Sequence, residues 1–111
     1  MSEVHDPSIG LRYVANNEGL YRKVLAKFAD QQASSAAEIE KALAENDMET
    51  AQRLAHTLKG LSASMGLPRL TETATNVDSA FKAGEDTSGL LPILKVQLEE
   101  ALAAIGAYLG S

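Results

Sequence analysis

The chain has 111 residues, 45% of them hydrophobic, and a formal net charge of −5 from 10 Lys+Arg against 15 Asp+Glu. This length fits one compact domain spanning 1–111 around a single core, and the acidic balance argues against nonspecific nucleic-acid binding, which rests on basic patches. The absence of cysteine excludes disulfides, thiolate catalysis and Cys-based zinc sites; with no apolar run near the roughly 20 residues a membrane span needs, and no basic-then-apolar opening, the expectation is a cytoplasmic protein without signal peptide or membrane insertion.

In chain order, Asp6-Pro7 reads as an N-cap and first-turn pair that starts a short helix to about Ala15, and the "NNEG" at 16 to 19 breaks it. From Glu18 to about Glu45, Leu20, Val24, Phe28, Ile39 and Leu43 share a face that Tyr21, Leu25 and Ala36 widen. The pattern predicts one long helix, with "ADQQASS" as the place for a bend. Asp47 is placed to cap the next helix, which runs to Gly66 as its C-terminal stop. Pro68 opens a further helix whose apolar positions are Leu70, Ala74, Val77 and Phe81, and Gly84 closes it. After the loop "GEDTSG" at 84 to 89, the series Leu91, Leu94, Leu98, Ala101, Leu102, Ile105 and Leu109 marks a final helix with Pro92 in its first turn. Alternation of apolar and polar residues is missing, so the fold class is all-α: an antiparallel up-down-up-down four-helix bundle with a short N-terminal helix as a lid. Such a bundle buries its own apolar faces and is expected to be a monomer.

Within the helix that follows Asp47, Ala51, Leu54, Ala55, Leu58, Ser62 and Met65 fall in one sector at about 100° per residue, and this sector must face the core. His56 lies roughly 160° from its centre and so points to solvent. Its same-face neighbours are Gln52, Arg53, Lys59, Gly60 and Ala63. A glycine inside a helix costs about 1 kcal/mol relative to alanine. Small residues on successive turns beside an exposed imidazole leave a window through which a partner's loop could reach the ring. Lys59 supplies a flexible point charge for an anionic group on that ring.

A neutral imidazole with a pKa of about 6.5 offers one ring nitrogen as a nucleophile at physiological pH. Hydrolysis by an acyl route would need a serine or cysteine partner and a concave oxyanion site. A metal would need several ligands, and the other histidine, His5, sits near the N-terminus. Transient carriage of a phosphoryl group needs no pocket, since positioning and charge neutralisation dominate and a partner can supply them.

The run "AHTLKGLSASMG" resembles the histidine-phosphotransfer (HPt) domain family, through His56, Leu58, Lys59, Gly60 and Gly66; "GLYRKVLAKFADQ" at 19 to 31 is similar to that family's first bundle helix, and the similarity covers about residues 8 to 108. The resemblance implies that His56 accepts a phosphoryl group from the aspartate of a response-regulator receiver domain and passes it to another. It further implies that Lys59 stabilises the phosphoryl charge and that Gln52, Arg53, Gly60 and Ala63 lie on the docking face. The chain would need no cofactor of its own: Mg²⁺ would come with the receiver, and ATP chemistry would belong to a partner such as a hybrid sensor kinase. Thr57 stands where histidine-kinase phosphoacceptor domains place an acidic residue, and no Gly-rich phosphate cradle is present. The alternative from another class is a helical adaptor that binds a partner noncovalently.

Overall fold

The computed structural model describes residues 3 to 111. Six helices follow one another: α1 (Pro7–Arg12), α2 (Glu18–Gln32), α3 (Ser35–Ala44), α4 (Met48–Met65), α5 (Pro68–Ala83) and α6 (Leu91–Leu109). The expected long helix from Glu18 to Glu45 is therefore two helices. The break falls inside "ADQQASS", at Ala33, which keeps helical backbone, and Ser34, which leaves it with φ −98° and ψ 4°. Ser35 supplies its cause, because a hydroxyl competes with the backbone ladder: its Oγ donates to Gln32 O at 2.9 Å. Residues 18 to 44 nonetheless act as one arm of the bundle. At 1.5 Å per residue that arm would be roughly 40 Å long, and the long axis of the molecule measures 41 Å.

The arms close a ring of neighbours: α2 and α3 pack on α4, α4 on α5, α5 on α6, and α6 back on α2 and α3. This is the expected antiparallel four-helix bundle, with its first arm built from two pieces. Tyr21, Leu25 and Ile39 from that arm, Ala55 and Leu58 from α4, Val77 from α5, and Leu94 and Ile105 from α6 form its buried centre.

α1 is shorter than the pattern predicts. It stops at Arg12, and Ala15 and Asn16 adopt left-handed backbone with φ of 53° and 60°. Asn17 then caps α2 by accepting from Leu20 N at 3.0 Å. The segment before α1 is tied to the α4–α5 corner, where Asp6 N donates to Gly66 O at 2.7 Å and Arg69 N to Glu3 O at 3.0 Å. Gly66 has φ 76°, and a Cβ there would collide with the Asp6 carbonyl. Glycine is therefore needed twice over, for the helix stop and for the strap across it.

Candidate functional site

α4 carries the site and is fixed at both ends. Asp47 accepts from Thr50 N at 3.1 Å and from Thr50 Oγ1 at 2.7 Å, and Gly66 ends the helix. Between them Ala51, Ala55, Leu58 and Ser62 are buried. Their stripe turns the opposite face outward, so the His56 side chain is 59% exposed. Leu54 and Met65, expected in the same buried sector, are half-buried at its edge.

Two of the neighbours read from spacing do not simply point at solvent. Gln52 and Lys59 flank His56 on the side toward α5 and converge there on the carboxylate of Asp78. Gln52 Nε2 donates to Asp78 Oδ1 at 3.3 Å, and Lys59 Nζ to Oδ2 at 3.2 Å. Lys82, one turn beyond Asp78 on α5, also reaches Oδ2 at 3.2 Å. His56 Nδ1 stands 3.4 Å from the same oxygen, at the long limit of a hydrogen bond. Lys59, expected to be a free surface side chain, is 30% exposed and already occupied in this cluster.

Asp78 was not among the residues that helical spacing singled out, and it is the centre of the arrangement. Its side chain is 2% exposed. Burial by itself would raise its pKa, but the hydrogen bonds from Lys59, Lys82, His56 and Gln52 outweigh it and hold the carboxyl well below the usual carboxylate range. Asp78 is thus an anion at neutral pH. The sequence did carry a signal: Ala74, Val77, Asp78 and Phe81 occupy i, i+3, i+4 and i+7 of α5, so a carboxylate stands in the core stripe. A carboxylate at such a position requires charged partners.

Across this 3.4 Å contact the charge of Asp78 favours one tautomer of His56. An ionised carboxylate only accepts, so Nδ1 carries the hydrogen and Nε2 keeps the lone pair. The two ammonium groups outnumber the one carboxylate, leaving a surplus positive charge beside the ring in a chain that is acidic overall.

The other predicted residues sort by position. Gly60 is exposed, and a Cβ built on it would meet nothing within 4 Å. Close packing against a neighbouring helix therefore does not explain it, and the helix surface at Gly60 is open. Arg53 is exposed on the same side. Ala63 is half-buried and lines a shallow groove with Ile9, Gly66, Leu67, Pro68 and Thr71 at the α1 end, a turn away from Gly60.

His5 lies elsewhere. Its Nε2 is 2.8 Å from Tyr21 Oη, which donates in turn to Met65 O at 2.6 Å. Nine residues of α4 separate Met65 from His56, or about 14 Å along the axis. Among the described residues no helix is long and apolar enough to cross a membrane.

The Hpt domain family model matches residues 23–108. Among solved structures, the HPt domain of the Hpt sensor hybrid histidine kinase from Shewanella is similar at 23% identity, covering 96% of this chain and 94% of that one with a TM-score of 0.86. No curated protein sequence matches the chain.

Proposed function

This chain belongs to the Hpt domain family and is a phosphocarrier of a phosphorelay; from that premise we propose that the group it carries is bound at His56. The observation that carries the assignment is an exposed imidazole whose Nδ1 is held by a buried carboxylate, leaving Nε2 as the nucleophile beside an open Gly60.

The donor is the aspartyl phosphate of a response-regulator receiver domain. Nε2 attacks phosphorus, the N–P bond forms, and the P–O bond to the aspartate breaks with its electron pair leaving on the receiver's carboxylate. The ring becomes an imidazolium that keeps its proton on Nδ1. Reversal toward a second receiver passes the group on. Lys59 stabilises the phosphoryl oxygens, and Gly60 admits the receiver's loops, with Arg53 and Ala63 on the same docking face. Mg²⁺ comes with the receiver, and the receiver supplies the in-line geometry that dominates such transfers. The chain needs no nucleotide of its own, acts as a cytoplasmic monomer, and is charged through a kinase such as a hybrid sensor kinase.

The test is phosphoryl transfer from a panel of Mg²⁺-loaded, phosphorylated receiver domains to the wild type and to His56→Gln. Acid-labile, base-stable label on the wild type alone is the expected result. Label retained on the variant would place the acceptor elsewhere. Receiver binding without label on either would favour a noncovalent adaptor.

A further inference from the structure

Asp78 and Lys82 are not accounted for by an exposed histidine and one lysine. Asp78 Oδ2 faces three donors, His56 Nδ1, Lys59 Nζ and Lys82 Nζ, while Oδ1 receives Gln52. One carboxylate oxygen offers two lone pairs, so Oδ2 is oversubscribed by one donor. Either lysine can leave and Asp78 remains both hydrogen-bonded and charge-paired.

The two lysines differ in what they can reach. Lys59 is on α4, three residues from His56, and so lies on the ring's own face. Lys82 is on α5, four residues from Asp78, with its side chain 54% exposed. Lys59 thus shares a helix with the ring and Lys82 shares one with the carboxylate.

We propose that Asp78 and Lys82 are positioning residues for the transfer: Asp78 fixes the Nδ1–H form of His56 and parks Lys59, and Lys82 keeps Asp78 paired when Lys59 turns to the phosphoryl group. This rests on His56 being the acceptor. In the resting state the cluster of Asp78, Lys59 and Lys82 holds one surplus positive charge. Transfer adds a dianionic phosphoryl group and one positive charge on the ring, by the step written above, and the cluster becomes neutral. The proton on Nδ1 stays in place, and Asp78 faces the charge that the ring acquires, as the carboxylate of a Ser-His-Asp triad does for its histidine. Without Lys82 the same step would leave two anions, Asp78 and the phosphoryl group, competing for Lys59.

The experiment compares the wild type with Lys82→Gln, Lys82→Arg and Asp78→Asn, all checked for helicity. Transfer from a phosphorylated receiver should slow about tenfold in Lys82→Gln, the size of one charge-assisted hydrogen bond, and recover in Lys82→Arg. Side-chain ¹⁵N spectra of the wild type should show the Lys59 ammonium resonance moving on phosphorylation while that of Lys82 holds. In the unphosphorylated protein, the ring ¹⁵N shifts should report Nδ1–H in the wild type and a mixture of tautomers in Asp78→Asn. An unchanged rate in Lys82→Gln, or movement of Lys82 in place of Lys59, would overturn the exchange. A tautomer indifferent to Asp78→Asn would overturn the positioning role of the carboxylate. A wild type that takes no label would instead remove the premise, and the ring spectra would still judge Asp78.

Discussion

The two histidines of this chain make opposite uses of the same ring. His5 is half-buried at the α1 end, its Nε2 bonded to Tyr21 Oη and its ring edge-on to Tyr108 at 5.2 Å between centroids. His56 has its Nδ1 against a carboxylate and the rest of its ring in solvent. Both have a polar partner, so a partner alone does not mark a reactive histidine. What separates them is which nitrogen is spoken for and what charge surrounds the one left over. At His5 the nitrogen engaged is the distal Nε2, and the ring is closed in by aromatic neighbours. At His56 the engaged nitrogen is Nδ1, whose carboxylate partner also holds two ammonium groups, and Nε2 is left over beside a helix surface that Gly60 leaves open.

The contrast breaks most sharply under paired substitution. His56→Gln should lose phosphate incorporation altogether while His5→Gln keeps it, measured as acid-labile label after incubation with a phosphorylated receiver. Label lost from both would mean that the strap at the α1 end takes part in docking.

Next in size is the clearance beside His56. Gly60→Leu should cut receiver-dependent transfer about a hundredfold, since displacing the reacting groups by an ångström costs that much. Its helix should gain up to about 1 kcal/mol, because leucine is the better helix former and the added side chain meets no neighbour. Denaturant unfolding beside transfer kinetics gives both numbers, and a stabilised variant with undiminished transfer would remove the steric role of Gly60. Lys59→Ala should slow transfer about tenfold. It should cost less than about 1 kcal/mol of stability, because Lys82 and Gln52 still satisfy Asp78.

Much of this was legible in the sequence because the helices obey local rules. Asp47, Gly66, Pro68 and Gly84 mark the limits of α4 and α5 through backbone chemistry that needs no tertiary context. The orientation of His56 follows from the periodicity of its own helix. What escaped was set between elements. The α2–α3 break depends on a serine hydroxyl bonding back one turn, in a stretch whose apolar stripe merely thins. The partners of Lys59 and Gln52 lie on α5, and no period within α4 could place them there. Asp78 announced itself only as a misplaced charge in a core stripe, and its meaning required knowing which face of α4 lies opposite. His5 sits in a terminal stretch of the kind that is usually loosely held, whereas backbone bonds at Glu3 and Asp6 pin this one across the end of α4.

The smallest expected effect concerns stability at the other histidine. Tyr21 gives its own proton to the Met65 carbonyl, so the His5 ring donates from Nε2 to the tyrosine oxygen, and it does this while neutral. Burial lowers the pKa of His5, with Asp6 opposing more weakly. The folded state therefore takes up this proton less readily than the unfolded chain. The stabilisation from a neutral His5 is complete above the ordinary histidine value of 6.5 and is lost as pH falls from there through the lowered folded value. The groups that face the ring are Tyr21, Tyr108 and Asp6, and none of the three changes charge between pH 5 and 7, since both tyrosines are shifted up and Asp6 down. His5→Phe keeps an aromatic ring in that place and removes the titration. Urea unfolding across pH 5 to 7 should then show a shallower loss of stability toward acid in His5→Phe than in the wild type. Parallel curves would mean that His5 is as free to protonate in the folded protein as in the unfolded one, and the contrast between the two histidines would rest on position alone.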